Sequence, residues 1–272
     1  GDILLFLDAD VLIPSEAPSI ALGCLEAESP TVAIQGTYSI CHPNHDLPSL
    51  YKNTWIAHSF ETSPREIGST FSCFLMIRRD TFLEAGGYDP RCDSAGATDD
   101  FELGDRLVRS GVRIVNHPDL RVVHLKRYSL VSLLRNQFRR SRALVRLALE
   151  RGFVPGVVAR RRYGNLGGGF LLRCLLAPAL AASVPAAALG CWVPVAVLGA
   201  LELILAAPFL RFAARAVGLR RVLPFAALGT LDALVCAAGA AAGGLAWLQG
   251  RGALASTMRS RAASSRGRRR GL

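Results

Sequence analysis

The sequence predicts an α/β domain followed by an all-α membrane region, and three observations support this fold class. Segments with strand and helix patterns alternate over residues 1–150. The first of them, LFLDADVL at residues 5–12, is an apolar run that ends in aspartates. Residues 174–201 and 222–248 are apolar runs of 28 and 27 residues, and about 20 such residues suffice for a helix to cross a bilayer.

Charge divides the chain at the same place. Residues 1–150 hold 16 basic and 19 acidic residues, whereas residues 151–272 hold 16 basic and only 2 acidic residues. A near-neutral globular half therefore precedes a basic, apolar half. The seven cysteines show no C-x-x-C spacing, which favours reduced thiols in a protein facing the cytosol.

Caps and periodicity predict the elements of the first half in order. Pro14 opens a helix, Thr98 is a suitable N-cap, and Gly111 closes the helix that Thr98 begins. The chain starts inside a strand, so we expect a domain that lacks an N-terminal portion. The predicted strands are 5–12, 31–39, 72–77, 112–115 and 120–124, and the predicted helices are 14–27, 47–60, a short one from 80, 98–110 and 129–151.

Asp8 and Asp10 are the first candidate site residues. An apolar run that ends in two aspartates indicates a buried strand with carboxylates at its carboxyl end, the edge of an α/β sheet where ligands bind. Two close carboxylates repel each other unless a cation lies between them, and a hard divalent ion with oxygen ligands often accompanies a phosphate. An acidic loop after an edge strand is the alternative.

A second acidic cluster begins a predicted helix. Asp99, Asp100 and Glu102 all fall in its first turn. Acids there stabilise the helix dipole by a few tenths of a kcal/mol each, and one would suffice for that purpose. Three acids in this position favour a functional role, with one carboxylate acting as a general base.

These motifs together resemble those of family 2 glycosyltransferases of the GT-A (Rossmann-like) fold. The resemblance covers residues 1–145 and lacks the family's first half, which carries most contacts to the nucleotide base and ribose. The matching motifs, in order, are Asp8-Ala9-Asp10, Gly68-Ser69 with Arg78-Arg79, Gly86-Gly87-Tyr88-Asp89, and Thr98-Asp99-Asp100-x-Glu102-Leu103-Gly104.

The resemblance implies a role for each acid. Asp10 would bind the divalent metal, Mg²⁺ or Mn²⁺, that holds the diphosphate of a nucleotide-sugar donor, and Asp8 would lie beside it. Asp100 would take the proton of the acceptor hydroxyl in an inverting transfer, with Asp99 and Glu102 as supporting acids. His124 would supply a further metal or diphosphate contact; a hydrogen-bonded surface histidine is the alternative.

Residues 137–141, QFRRS, partly resemble the Q-x-x-R-W signature of processive members of that family. Gln137 and Arg140 match and would bind the donor, while Ser141 replaces the tryptophan that holds the acceptor. This departure argues against a processive polymer synthase. Alternatively, these residues belong to a basic amphipathic helix on a membrane surface.

The full organisation predicted is a catalytic domain at 1–128, an amphipathic membrane-interface region at 129–169, about three transmembrane helices at 170–249 and a basic disordered tail at 250–272. The arginine distribution leaves two or three spans open, with three slightly favoured. We expect a multi-pass cell-membrane protein with its catalytic domain on the cytoplasmic side. Its expected partners are a nucleotide-sugar donor, a lipid-linked or cell-envelope glycan acceptor and membrane lipids, and no nucleic acid.

Two other functions are compatible with the sequence. An apolar strand followed by D-x-D-V also resembles haloacid-dehalogenase-type phosphatases, in which Asp8 would be the nucleophile and Asp99 and Asp100 the late metal acids. That family needs a lysine before the late acids, and Lys52 is the only candidate. The other is an inactive, truncated membrane protein.

Overall fold

The computed structural model describes residues 1–28, 31–92, 98–154, 162–163 and 166–268. An α/β region comes first and a region of apolar helices follows. The strands are β1 (Ile3–Phe6), β2 (Val11–Leu12), β3 (Val32–Tyr38), β4 (Glu66–Ile67), β5 (Leu75–Arg78), β6 (Arg113–His124), β7 (Arg162–Tyr163) and β8 (Leu166–Gly167). The helices are α1 (Ala17–Ala27), α2 (Leu47–Glu61), α3 (Arg79–Glu84), α4 (Thr98–Arg109), α5 (Leu130–Glu150), α6 (Gly168–Ala188), α7 (Val193–Val217) and α8 (Val222–Arg268).

The main sheet is mixed rather than parallel. Its order is β1-β5-β3-β6-β2, with β4 on β6, and among these pairs only β3 and β6 are parallel. The expectation that the first strand is buried is wrong. β1 is half-buried at the end of the sheet and pairs antiparallel with β5. Its apolar composition reflects packing against the core rather than a central position.

Strand β6 joins the two segments predicted as separate strands, 112–115 and 120–124. Its pairing with β3 advances from Gln35–Asn116 directly to Thr37–Arg121, so several residues of β6 bulge out opposite Gly36. Pro118 lies in this bulge and lacks the N–H that a regular ladder requires. Past the bulge, β6 continues to His124, which pairs with Val11 of β2.

Most helix boundaries lie within one residue of the predicted ones, but the first helix begins at Ala17 rather than at 14, and Thr98, the predicted N-cap, is the first residue of α4. The Asp46 side chain accepts a hydrogen bond from the Ser49 amide at the start of α2. Ser129 and Ser132 form a reciprocal capping box at the start of α5. Helix α4 ends before Gly111, which has the positive φ of 83° that favours glycine. Helix α8 continues through 250–268, the segment whose composition predicts disorder.

Helix α2 connects the sheet to the apolar helices. Eleven of its 15 residues are buried, and the Tyr51 ring packs edge-on against Phe209 of α7 and Phe225 of α8, at 5.8 and 5.5 Å between centroids. Trp55 packs similarly on Phe170 of α6 at 5.0 Å. The hydrophobic core of the α/β region is therefore continuous with that of the helical region.

Helices α6, α7 and the first part of α8 are long and apolar enough to cross a membrane: Gly168–Ala188, Val193–Val217 and Leu219–Gly250. Arg173 of α6 and Glu202 of α7 form a buried ion pair at 2.8 Å. Helix α8 packs closely on α5 through Gly239 and Gly243, where an added Cβ would overlap atoms of α5. Small residues four apart permit such close approach of two helices.

Candidate active site

Most of the predicted site residues line a single cleft of about 310 Å³. Its walls come from the ends of β1, β3 and β6, the start of α4, and one face each of α2 and α5. Of the predicted residues, those that line it are Asp8, Asp10, Asp99, Asp100, His124 and Arg140. Glu102 and Gln137 lie outside this lining.

Asp8 follows β1, and both of its carboxylate oxygens are hydrogen-bonded. The Tyr38 hydroxyl donates to Oδ2 at 2.8 Å, and the Ser72 hydroxyl donates to Oδ1 at 2.7 Å. Tyr38 is the last residue of β3, and burial raises the pKa of its phenol well above the usual value. Tyr38 therefore remains a neutral donor that fixes the orientation of Asp8.

Asp10 lies just before β2, opposite the last residue of β6. Its Oδ2 is 3.6 Å from Nε2 of His124, and its side chain is 42% exposed to the cleft. His124 is buried and stacks on the Tyr38 ring at 4.3 Å. Burial lowers the pKa of His124 to about 4, so its imidazole is neutral at pH 7. A carboxylate and a neutral imidazole nitrogen thus face the same space.

Asp100 lies in the first turn of α4 and is buried. The Ser72 amide and hydroxyl both lie 3.3 Å from its Oδ2, and the Tyr88 hydroxyl donates to Oδ1 at 3.4 Å. Burial first, and then the negative charge of Asp99, raise the pKa of Asp100 to about 7. This carboxyl group can therefore exchange a proton near neutral pH.

The close packing of α4 positions Asp100. Gly104 packs so tightly against Ser69 that a Cβ at this position would overlap the backbone there. The hydroxyl of Thr70 donates to the Asp100 carbonyl oxygen at 2.8 Å. The glycine in the sequence D-D-F-E-L-G thus brings the start of α4 against the segment that carries Ser72.

The acids that flank Asp100 differ in their surroundings. Asp99 lines the cleft and accepts a hydrogen bond from the Asp100 amide at 3.0 Å. Glu102 points away and is buried in a bidentate ion pair with Arg106, at 2.7–2.9 Å. Arg106 also donates to the carbonyl oxygens of Ala85 and Gly87, so Glu102 fixes the α3–α4 region.

A buried polar chain reaches the cleft from α8. Asp232 of α8 accepts hydrogen bonds from the Tyr51 hydroxyl at 2.8 Å and from the side-chain Nε2 of Gln137 at 2.6 Å. The other end of Gln137, its Oε1, accepts from Lys52 Nζ at 2.7 Å. Lys52 lines the cleft, and burial lowers its pKa to about 8. Gln137 therefore acts on the cleft through Lys52.

Several cleft residues escaped prediction. Tyr38, Ser72 and Tyr128 carry hydroxyls there, and Lys126 and Asn136 add polar groups. Lys52 entered only through the phosphatase alternative. Position at a strand end could have identified two of them. Tyr38 ends β3 beside the parallel strand β6, Lys126 follows β6, and ligands bind at such strand ends.

A separate group of possible metal ligands, Asp89, Cys92 and Glu102, lies outside the cleft. Its acids already have cationic partners. Arg151 bridges Asp89 at 2.9 Å and Glu102 at 3.4 Å, so a guanidinium supplies the charge that a metal would bring. Arg91 adds a second contact to Asp89 at 2.8 Å.

Comparisons with known proteins find similarity of structure but not of sequence. No protein-family model matches the chain, and no curated protein matches its sequence. Among solved structures, the chain is similar to a mannosyltransferase from Pyrobaculum calidifontis in complex with GDP-mannose and Mn²⁺. The TM-score is 0.44 and the identity 18%, over 89% of this chain and 62% of that one. The chain thus spans less than two thirds of the length of the protein it resembles.

Proposed function

We propose that this protein is a membrane-bound, metal-dependent, inverting glycosyltransferase of the family 2, GT-A type, with a nucleotide-sugar donor. One observation carries the proposal: Asp8, Asp10 and Asp100 line a single cleft, and the Ser72 hydroxyl contacts both Asp8 and Asp100. Asp8 and Asp10, which suit a cation, and Asp100, which suits a general base, thus border the same cleft.

Asp100 is the proposed general base. The acceptor oxygen bonds to the anomeric carbon of the donor, its proton passes to Asp100, and the bond from the anomeric carbon to the diphosphate breaks. The electron pair of that bond leaves with the diphosphate. Attack opposite the leaving group inverts the anomeric centre. The pKa of about 7 makes Asp100 an effective base near neutral pH, and Ser72 and Tyr88 hold it in place.

Asp10 and His124 fit a divalent metal, Mg²⁺ or Mn²⁺, with Asp8 beside them. The donor set suits such an ion, because Asp10 is partly exposed in the cleft and the neutral His124 nitrogen faces it at 3.6 Å. Hydrogen bonds from Tyr38 and Ser72 fix the orientation of Asp8, as is usual for a carboxylate that supports a metal site. When bound, the ion would neutralise negative charge on the diphosphate.

Three cationic side chains in the cleft suit the donor phosphates. Lys52, Lys126 and Arg140 line the wall formed by α2, the end of β6 and α5. Ammonium and guanidinium groups form charge-assisted hydrogen bonds with phosphate oxygens. In this arrangement Gln137 is a positioning residue for Lys52, Asp99 supports the base, and Glu102 stabilises α4.

The acceptor is proposed to be lipid-linked or a cell-envelope glycan. Helix α2 places Lys52 in the cleft, and the neighbouring Trp55 also contacts Phe170 of α6. The cleft is thus only one helix away from the apolar region, which suits an acceptor held in the membrane. We retain the division into a catalytic domain, an interface region, membrane helices and a basic tail, with the catalytic domain on the cytoplasmic side.

The test is transfer by the full-length protein in membranes, with a panel of nucleotide sugars and Mn²⁺ or Mg²⁺. Release of nucleoside diphosphate that needs both metal and acceptor supports the proposal. D100N should reduce transfer by about 10²- to 10⁴-fold and retain donor binding, measured by calorimetry. Full transfer by D100N would exclude Asp100 as the base, and no turnover of any nucleotide sugar by the wild type would contradict the transferase assignment.

A phosphatase remains the second candidate, because Lys52 lies in the same cleft as Asp8, Asp99 and Asp100. In that reaction an Asp8 oxygen would bond to the phosphorus of a phosphate monoester, the P–O bond to the alcohol would break, and the alcohol would leave while a phosphoaspartate forms. Both Asp8 oxygens are hydrogen-bonded to Tyr38 and Ser72, which disfavours this role. Trapping of a phosphorylated Asp8 peptide would establish the phosphatase and overturn the transferase.

A further inference from the structure

We propose that the membrane anchor is a two-helix hairpin. In this arrangement α6 and α7 cross the bilayer, while α8 stays on the same side as the α/β domain and lies along it. The inference rests on the membrane attachment put forward above and is independent of the transfer chemistry. It answers the question of two or three spans, which the arginine distribution in the sequence leaves open.

The packing of α8 ties it to the domain. Asp232 is hydrogen-bonded to Gln137 of α5, and further along α8 Gly239 and Gly243 lie against the backbone of α5 at Phe138 and Arg142. Residue numbers in these contacts rise together along both helices, so α8 runs parallel to α5. Helix α5 in turn is anchored in the domain core through residues such as Leu133, Leu144 and Leu147.

The outer face of α5 is incompatible with hydrocarbon. Arg135, Arg139, Arg142 and Arg146 are exposed, and their spacing places them on one face of the helix. Among the described residues, Arg139 and Arg142 have no carboxylate partner within ion-pair distance. If residues 219–250 crossed the bilayer, α5 would lie along residues 232–243 of that span, so these arginines would lie within the bilayer, where a charged side chain is costly.

Helices α6 and α7 have the opposite character. With 21 and 25 residues, they are about 31 and 37 Å long, which matches a bilayer core of about 30 Å. Their connection is apolar and exposed: Leu189 is 89% exposed and Trp192 is 65% exposed. Arg173 and Glu202, on facing helices, neutralise each other at 2.8 Å.

The hairpin also accounts for the arginines. A third span would place the basic residues beyond Gly250 on the side opposite the domain, against the tendency of Lys and Arg to remain in the cytoplasm. With α8 on the domain side, these residues and the arginines between α7 and α8 share one side, and residues 189–192 on the other side carry no charge. The exposed apolar face of α8, which includes Leu223, Leu231, Leu245 and Leu248, would then contact the membrane surface.

Two native cysteines allow a direct test. Cys191 lies in the connection between α6 and α7, and Cys41 lies in the α/β region, and both are exposed. Intact cells that express the full-length protein are treated with a membrane-impermeant maleimide, before and after permeabilisation. The wild type and the C41S variant should be labelled in intact cells, whereas C191S should be labelled only after permeabilisation. An epitope tag after Leu272 should likewise need permeabilisation for detection.

Detection of the Leu272 tag in intact cells would show that α8 crosses and would overturn the proposal. Labelling of Cys191 only after permeabilisation would show that the hairpin does not cross and would overturn it as well. A second epitope tag inserted after Gly190 checks the Cys191 result without relying on thiol reactivity. D100N should leave the labelling pattern unchanged, so a failure of the transferase assignment is distinguishable from a failure of this topology.

Discussion

His124 and Asp10 face each other at the pairing of β6 with β2, with Nε2 and Oδ2 3.6 Å apart. The bulge in β6 sets the register of its last residues against β3, where His124 stacks on Tyr38, and the same end of β6 pairs with Val11 of β2. The imidazole is held between the Tyr38 ring and the cleft, and burial keeps it neutral. The end of β6 therefore holds an imidazole nitrogen beside the aspartate motif.

Metal affinity should depend on the support of Asp8. We expect D10N to lose metal-dependent activity, and Y38F to bind Mn²⁺ about 10- to 100-fold more weakly, because Asp8 loses the donor that orients it. Titration of Mn²⁺ against activity and by calorimetry measures both effects. Y128F is the matched control, since Tyr128 lines the same cleft and makes no described contact with Asp8. Equal effects of Y38F and Y128F would contradict the role of Asp8.

Among the acids of α4, only Asp100 should act as the general base. D100N is expected to reduce the rate of transfer by about 10²- to 10⁴-fold with donor affinity retained. D105N changes an acid of the same helix that pairs with Arg109 at 2.7 Å and lies outside the cleft, so it should transfer at the wild-type rate. Single-turnover rates at saturating donor separate the two variants. A comparable loss in D105N would indicate damage to α4 rather than loss of a base.

The pH dependence follows from the raised pKa of Asp100. The base is active when deprotonated, so transfer should rise with pH and reach half its maximum near pH 7. Burial and the charge of Asp99 cause this shift, so D99N should move the midpoint to lower pH. Initial rates from pH 5 to 8.5 at saturating metal test both statements. An unchanged midpoint in D99N would show that another group controls the profile.

The two residues that match the Q-x-x-R-W signature should differ in effect. Q137A removes the partner of both Lys52 and Asp232, so we expect a loss of about 1–3 kcal/mol in the free energy of unfolding. R140A removes a cation from the cleft, so the KM for the donor should rise about 10- to 100-fold with little change in stability. Thermal unfolding in detergent and donor titrations make the comparison. The opposite pattern would assign donor binding to Gln137.

Adjacent glycines in α8 provide a matched test of its packing on α5. G243A adds a methyl group that overlaps the Arg142 carbonyl oxygen, so it should destabilise the protein by about 1–3 kcal/mol. At Gly244 no atom lies within 4 Å of an added Cβ, so G244A should be neutral or stabilise the helix by about 0.5–1 kcal/mol. Melting temperatures in the same detergent compare them. Equal values would mean that α8 does not pack here.

Local sequence signals were sufficient for the parts of the site that are local in the chain. Thr98 and Gly111 predicted α4, and the amphipathic pattern predicted α5, both almost to the residue, while the acidic pattern pointed to Asp8, Asp10 and Asp100, which line one cleft. The apolar runs predicted the three long helices. These features depend on periodicity and capping, which act over a few residues.

The features that were not predicted depend on contacts between residues far apart in the sequence. Lys52 reaches the cleft because Gln137, 85 residues later, accepts its hydrogen bond, and Gln137 is held by Asp232, another 95 residues along. No periodic pattern in α2 indicates such partners. The antiparallel pairing of β1 with β5 was likewise missed, since an apolar strand looks the same in either orientation.

The Arg173–Glu202 pair has a consequence for how the protein is made. Arg173 emerges from the ribosome before Glu202, so the first helix of the hairpin would meet lipid with an uncompensated charge if it inserted alone. Joint entry of both helices, after synthesis of the second, avoids this penalty. Biogenesis would therefore proceed through a paired helical unit, and loss of either charge should expose the nascent chain to quality-control proteolysis.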